Sequence, residues 1–406
     1  MKHLFFIGVF LCFIYSVTAQ QLSFSDSSVV SLVTCSPGEE VYAKFGHTGI
    51  RVSDPVSNID VVFNYGIFSF DTNGFYYKFI KGETDYYLGL SSTSVFLSEY
   101  QRRNSMVWEQ VLNLNTNEKR TLINSLLENY KPENRMYRYN FVFDNCATRP
   151  RDKILNSVDG FVRFGTDEDP KTFRQWVGNY VGEESWLKFG IDMVFGIDAD
   201  RECSQFESMF LPEVLMVEMQ SVYIDSPRLK SKRPLIGNKN VLVDAQSVVR
   251  VKESWTKEPL FVFCIIFLIG VAGLIFEFKT KHYKPVIDSV LLFLTGSAGL
   301  ILFYLMFISV HPLVKNNLNL LWANPLNFFM AFLIWVKPLR KTIFYYQIFN
   351  LFLLGLALVA LALSIQSFNV AVYPVIALLI IRYARWIVRT KHKFERKSKY
   401  QKSKRN

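Results

Sequence analysis

Residues 259–276 read PLFVFCIIFLIGVAGLIF, an apolar run without a charge. Its length matches a helix that crosses a bilayer. Working outward from it, four more apolar stretches follow: Val286–Val310, Leu320–Val336, Ile343–Ile365 and Val370–Val388. The third is short and carries Asn324, Pro325 and Asn327. Residues 259–388 are therefore expected to form an all-α, five-helix transmembrane domain. Only 20% of the 406 residues are charged, below the usual share for a soluble domain.

Charge placement gives the orientation. Lys279, Lys281 and Lys284 lie between the first two spans, and Lys337, Arg340 and Lys341 between the third and fourth. The loops His311–Asn319 and Gln366–Asn369 together hold only Lys315. Basic loops stay in the cytoplasm, which predicts a cytoplasmic C-terminus. Residues 389–406 form a basic tail carrying +8 of the net +11. A nucleic-acid-binding domain spreads such charge over a folded face, so that class is excluded. Arg382 and Arg385, near the end of the fifth stretch, are expected to snorkel to the same interface.

The opposite terminus agrees. Lys2 and His3 precede the apolar run Leu4–Tyr15 and the small-residue site Val17-Thr18-Ala19, the pattern of a signal peptide over 1–19. Residues 20–258 then form an exported mixed α+β domain. It holds Cys35, Cys146 and Cys203, an odd number, so one disulfide at most can form and at least one thiol stays free. Whether Cys35 pairs with Cys203 is open.

Two segments of this domain carry chemistry. KFGHTGIRV (Lys44–Val52), the turn Asp54–Asn58 and the run Asp60–Phe70 read as an antiparallel pair, with His47 between Gly46 and Gly49. The two glycines are expected to leave space around the imidazole. In the second segment, Tyr137–Phe143 reads as a strand. Ile154, Leu155 and Val158 follow with helical spacing, and Pro150 fits only a first turn. Asp144 or Asn145 would cap that helix and set Cys146 at its start, where the dipole favours a thiolate. A cysteine at a helix start and a histidine on a sheet are the two parts of a thiol nucleophile. Cys35, in the turn-like TCSPG (Thr34–Gly38), is the competing thiol.

FGHTGIRV with NYGIFSF (Asn64–Phe70), ENRMYRYNFVFDNCATRPRD (Glu133–Asp152) and, in the membrane half, HPLVKNNLNLLWANP (His311–Pro325) resemble the Lnb-type bacterial lipoprotein N-acyltransferases. The resemblance implies a permuted papain/NlpC-like exported domain, with Cys146 as nucleophile and His47 as base. It implies transfer of an acyl chain from a phospholipid, through a Cys146 thioester, to the α-amino group of a diacylglyceryl-cysteine lipoprotein. The protein would sit in the bacterial inner membrane with its N-terminal domain periplasmic, and would need no cofactor or metal. Asp60, Asn64 and Tyr65 can all reach the imidazole if the hairpin closes; Asn64 is carried forward as the third member.

Arg149 and Arg151 flank the nucleophile and are candidates to grip a phosphodiester, or else pair with Asp144 or Asp152. His311 and Trp322 lie in a loop rich in asparagine and are candidate substrate contacts, or else serve loop solvation and an aromatic belt. Asn115 with Glu118 predicts a capped amphipathic helix, and Phe206, Phe210, Val214 and Val217 predict another. Two alternatives stand beside the acyltransferase: an envelope thiol amidase, peptidase or lipid hydrolase, and a non-enzymatic module that binds an exported partner.

Overall fold

The computed structural model describes residues 23–71, 73–165, 170–182, 185–226, 231–245 and 254–403. The expected signal peptide and the last three residues of the basic tail lie outside the described residues. Up to residue 243 the chain forms ten strands: β1 Val29–Cys35, β2 His47–Asp54, β3 Ile59–Ile67, β4 Asp85–Ser92, β5 Val107–Leu112, β6 Met136–Arg138, β7 Phe161–Arg163, β8 Tyr223–Ser226, β9 Ser231–Pro234 and β10 Ile236–Val243. Eight helices accompany them: α1 Phe75–Lys81, α2 Thr93–Arg102, α3 Thr116–Tyr130, α4 Thr148–Ser157, α5 Phe173–Val181, α6 Trp186–Val194, α7 Gln205–Ser208 and α8 Pro212–Gln220.

Seven strands form one antiparallel sheet in the order β10-β5-β1-β2-β3-β4-β6, and β7-β8-β9 form a second. The strand β1, VVSLVTC, is central and nearly all buried, which is what a sheet covered on both faces requires. Its side chains alternate between two cores. Val30 and Leu32 pack with Leu122, Leu126, Ile154 and Leu215, whereas Val33 and Cys35 pack with Phe96 and Tyr100. The helices α3, α4 and α8 thus cover one face and α2 the other. Asn115 and Glu118 form the expected capping box of α3. The second expected helix is broken: Pro212 starts α8 afresh after the short α7, because proline cannot continue a helix from a preceding turn.

Among the described residues four helices are long and apolar enough to cross a membrane: α9 Pro259–Thr280, α10 Val286–Phe307, and those within Lys337–Ala362 and Val370–Glu395. The expected third span is instead a 3-10 turn, Leu318–Leu321, and a short helix, α11 Leu326–Leu333. Pro325 removes a donor at the break. Asn324 and Asn327 turn inward, bonding Asn350 and Thr295. This segment runs antiparallel to α10: Gly299 lies against Ala323 and Pro325, Gly296 against Phe328, and Ser289 donates to the Ala331 carbonyl at 2.6 Å. The last two long helices are α12 Arg340–Ala362 and α13 Tyr373–Ser403.

Arg382 does not snorkel. It is buried, donating to Asp288 at 2.6 Å on α10 and to Glu277 at 2.9 Å on α9. Charge inside a bundle is costly unless paired, and here one arginine meets two carboxylates. Arg385 lies 3.9 Å from the centre of the Phe278 ring.

The two halves of the chain meet at α6. Phe189 stacks on Phe263 of α9 at 5.2 Å, and Trp186 donates to the Lys257 carbonyl at 2.7 Å. At its far end Asn317 donates to the Met193 carbonyl at 2.8 Å and Asn319 to that of Asp192 at 3.2 Å. Asp192 accepts from Arg174 at 3.1 Å, Lys188 at 2.6 Å and Asn369 at 2.8 Å. Two of the four asparagines of the 311–324 loop, Asn317 and Asn319, are thus spent on docking α6.

Candidate active site

β2 begins at His47, and its register places Gly49 opposite Asn64 of β3. Residues that alternate in phase share a face, so His47 and Asn64 project together toward α2. The His47 Nε2 lies 2.6 Å from Asn64 Oδ1. An amide oxygen only accepts, so Nε2 carries the proton and Nδ1 keeps its lone pair. The other two candidates are occupied elsewhere. Asp60 holds Arg51 at 2.8 and 2.7 Å and Thr93 at 2.6 Å, and the Tyr65 hydroxyl donates to Asn129 at 2.8 Å.

The β3–β4 ladder slips between Asn64 and Ile67, and Gly66 sits in that bulge with φ at +93°. A Cβ added there would stand 3.4 Å from Cys146 Cβ and 3.8 Å from His47 Cε1. Cys146 and His47 thus both lie against Gly66, and this is the glycine that leaves them room. The expected pair does not. Gly46 fits its backbone against the Cys35 carbonyl, 2.6 Å from where a Cβ would be, and Gly49 faces Val62 at 2.8 Å.

The strand before Cys146 ends at Arg138, earlier than its apolar content predicts. The reason is Asn140, whose side chain accepts from the Val142 and Phe143 amides and folds the segment into a turn. Asn145 caps α4, its Oδ1 accepting from Ala147 at 2.7 Å and Thr148 at 2.9 Å. Cys146 lies just outside the helix, beside the N-cap Ala147. Burial pushes its thiol up to about 11, against hydrogen bonds to the sulfur from the Thr48 amide and its own. The expected resting thiolate is thus corrected: desolvation outweighs the helix start. Burial also lowers the His47 pKa, opposed by Asn64 and reinforced by the positive charge of Arg103. Both members of the pair are neutral near pH 7.

Cys35 is buried one strand away, in register with His47, and burial raises its thiol much further. Cys35, Cys146, Cys203 and Cys264 are all free thiols. Cys35 and Cys203 sit in different cores.

Beside the imidazole is a cavity of about 490 Å³, whose walls include His47, Asn64, Gly66, Phe68, Tyr100 and Arg103. Arg149 lies instead at a separate cavity of about 320 Å³, bound to Asp144 through Nε at 2.5 Å and a terminal nitrogen at 2.8 Å. Its guanidinium covers the Tyr137 ring at 3.6 Å. Arg151 is buried, bonded to Asp152 and to the Phe206 carbonyl, both at 2.8 Å. His311 bonds the Phe79 carbonyl at 2.6 Å, and Trp322 is buried with its N–H on Asn319 at 2.9 Å. None of these four lines the cavity beside His47. Among the described residues no cluster of histidine, cysteine and acids could hold a metal ion.

One residue that spacing could not select is Tyr137. Its hydroxyl is buried, has no hydrogen-bond partner, and lies 4.0 Å from the Cβ position of Gly66. An unsatisfied buried hydroxyl at a thiol–imidazole pair is a donor awaiting an acceptor.

Two family models match the chain. The one described as the Lnb N-terminal periplasmic domain covers residues 17–178, and the one described as the Lnb transmembrane domain covers residues 251–393. No curated protein and no solved structure matches it.

Proposed function

We propose that this chain, which is of Lnb type in both its domains, is a lipoprotein N-acyltransferase working through a Cys146 thioester. The observation that carries the reading is that Cys146 and His47 both lie within 4 Å of the Cβ position of Gly66, with Asn64 bonded to the imidazole. The arrangement is the logic of a papain/NlpC-like thiol site, here with histidine before cysteine in the chain.

The first half-reaction starts from a neutral pair. As the sulfur attacks the ester carbonyl of a phospholipid, His47 Nδ1 takes the thiol proton, so no resting thiolate is needed. The S–C bond forms, the ester C–O bond breaks, and His47 returns the proton to the departing lysophospholipid oxygen. The Cys146 amide, the Thr48 amide and the Tyr137 hydroxyl are the donors for the carbonyl oxygen as it becomes an anion. In the second half the lipoprotein α-amine attacks the thioester. The N–C bond forms, the C–S bond breaks, and His47 carries the amine proton to the leaving sulfur. Arg103, on the cavity wall and paired there with Glu99, is the cation placed to take the phosphodiester role expected of Arg149 and Arg151.

The residues belong to a membrane protein whose N-terminal domain is periplasmic, and the C-terminus would lie in the cytoplasm. Splitting the transfer into two steps spares the site from holding two lipids at once. The test is intact-mass analysis of the full chain after incubation with phospholipid alone. One acyl group on Cys146, released by hydroxylamine, supports the reading. An unmodified Cys146 in a preparation that still acylates lipoproteins overturns the covalent route.

A further inference from the structure

The helix α1 is short, has no acidic residue, and turns Tyr76, Tyr77, Phe79 and Ile80 outward; Tyr76 is 72% and Tyr77 61% exposed. Phe70, just before it, is exposed as well. A water-facing helix rarely carries so contiguous an apolar patch.

What faces this patch follows from where α1 is tied. The Lys81 carbonyl accepts from the Val310 amide at 2.8 Å and the Ser309 hydroxyl at 3.1 Å, and the Phe79 carbonyl meets His311 at 2.6 Å. Gly82, at φ +80°, lets this contact close: a Cβ there would lie 3.0 Å from the His311 amide nitrogen. These partners directly follow α10, a membrane-crossing helix. Phe303 and Phe307 on its last turns, and Ile308 and Val310 just after it, are exposed, a face that in a bilayer meets lipid. The exposed apolar residues of α1 are thus tied next to those at the end of α10. Tyrosines and lysines are the residues that settle at headgroup depth, and Lys78 and Lys81 supply the second kind.

The patch also leads inward. Phe75 is buried and stacks on Phe68 at 5.7 Å, with Phe70 within 5.1 Å of Phe75 and 4.9 Å of Phe68. Phe68 lines the cavity beside His47.

We infer that α1 and Phe70 lie in the lipid interface, on the N-terminal domain's side of the membrane. There they pass a phospholipid acyl chain along Phe70, Phe75 and Phe68 to Cys146. The delivery step rests on the acyltransferase reading; the membrane contact does not. His311 is then a positioning residue that holds α1 to the bundle.

The experiment uses the full chain in vesicles of phosphatidylethanolamine and phosphatidylglycerol, with p-benzoylphenylalanine placed singly at positions 76, 80, 307 and 241. Position 307 is the lipid-facing control, and 241, exposed on β10, is the water-facing one. Irradiation should give lipid adducts at 76, 80 and 307 and none at 241. An adduct at 307 without one at 76 or 80, or a protein adduct at 76 or 80, overturns the contact. This readout needs no catalysis, so it stands even if Cys146 is never acylated. For delivery, Tyr76→Ser/Ile80→Ser should load Cys146 from vesicles ~10-fold more slowly, since interfacial binding scales with buried apolar area. Unchanged loading in that variant overturns the route.

Discussion

His47 Nε2 stands 2.6 Å from Asn64 Oδ1, on neighbouring strands whose register puts both side chains on one face of the sheet. The bond assigns the two ring nitrogens: Nε2 is committed to Asn64, and only Nδ1 is free to act as a base. Asn64→Ala should lower the rate of Cys146 acylation roughly 10-fold or more, because the ring loses both its tautomer and its aim. Thermal stability should change by only about 1 kcal/mol, the net worth of one hydrogen bond. A variant that unfolds, or one that loads at the normal rate, would assign Asn64 a structural role instead.

The neutral resting pair has its own signature in pH. His47 is held below its usual value by burial. A base with a lowered pKa sheds its proton earlier, so acyl loading should rise with pH along a limb that lies below the ordinary histidine range of about 6.5 and level off above it. The thiol at about 11 should instead make alkylation of Cys146 by iodoacetamide, without lipid, climb steadily between about pH 7 and about pH 10. A plateau of alkylation near neutrality would mean a thiolate–imidazolium pair.

How much of this was readable from residues alone divides by length scale. The β2–β3 hairpin, the α3 capping box and the apolar helices follow from short-range periodicity and cap chemistry, which the sequence carries openly. The reach of three candidates toward the imidazole is a matter of register. Tyr65 takes the face opposite to Asn64, whereas Asp60 shares that face and is set apart by its place along the strand, opposite Ser53 and not beside His47. Helix-start chemistry is local and legible, whereas the desolvation that overrides it at Cys146 is supplied by the whole fold. Gly46 and Gly49 adjoin His47 in the chain, but Gly66, which lies against both Cys146 and His47, arrives from the next strand through a bulge. Residue type and nearness to a motif do not tell a ligand contact from the internal bonds that Arg149, Arg151 and Trp322 make.

Gly66 is a position where a methyl group should act on chemistry more than on folding. With φ at +93°, an alanine there carries a backbone strain of roughly 1–2 kcal/mol, and its Cβ would stand 3.4 Å from Cys146 Cβ and 3.8 Å from His47 Cε1. Gly66→Ala should remain folded by circular dichroism and lose most Cys146 loading. Retention of loading would mean that the two side chains meet along another line.

The Tyr137 hydroxyl offers a cleaner substitution, since phenylalanine preserves the ring beneath Arg149. If the hydroxyl serves the oxyanion, Tyr137→Phe should reduce kcat by ~10²-fold with little change in KM, as for the loss of one oxyanion donor. Stability should hold or improve slightly, because a buried hydroxyl without a partner is removed. A fall in stability with unchanged kcat would make Tyr137 a core residue only.

Asp192 is where the two halves of the chain are pinned. It is 3% exposed and receives Arg174, Lys188 and Asn369, while its own carbonyl and that of Met193 are held by Asn319. Asp192→Ala would remove the anion shared by Arg174 and Lys188, and since Arg174 keeps its pair with Asp200 the cost should be about 3 kcal/mol, the low end for broken buried ion pairs. Asn319→Ala removes donors to backbone carbonyls and should cost nearer 1–3 kcal/mol. Because Asn369 and Asn319 join α6 to the membrane half, the damage should appear between the halves as well as around Arg174 and Lys188. Limited proteolysis of the full chain should cut first near α6 in Asp192→Ala, with Cys146 still alkylated at its normal rate. Acyl loading from vesicles should fall, since the cavity is no longer held at a fixed height over the bilayer. A uniform loss of protease resistance, with Cys146 exposed at the same time, would show that the Asp192 cluster supports the whole N-terminal fold and does not act as a joint.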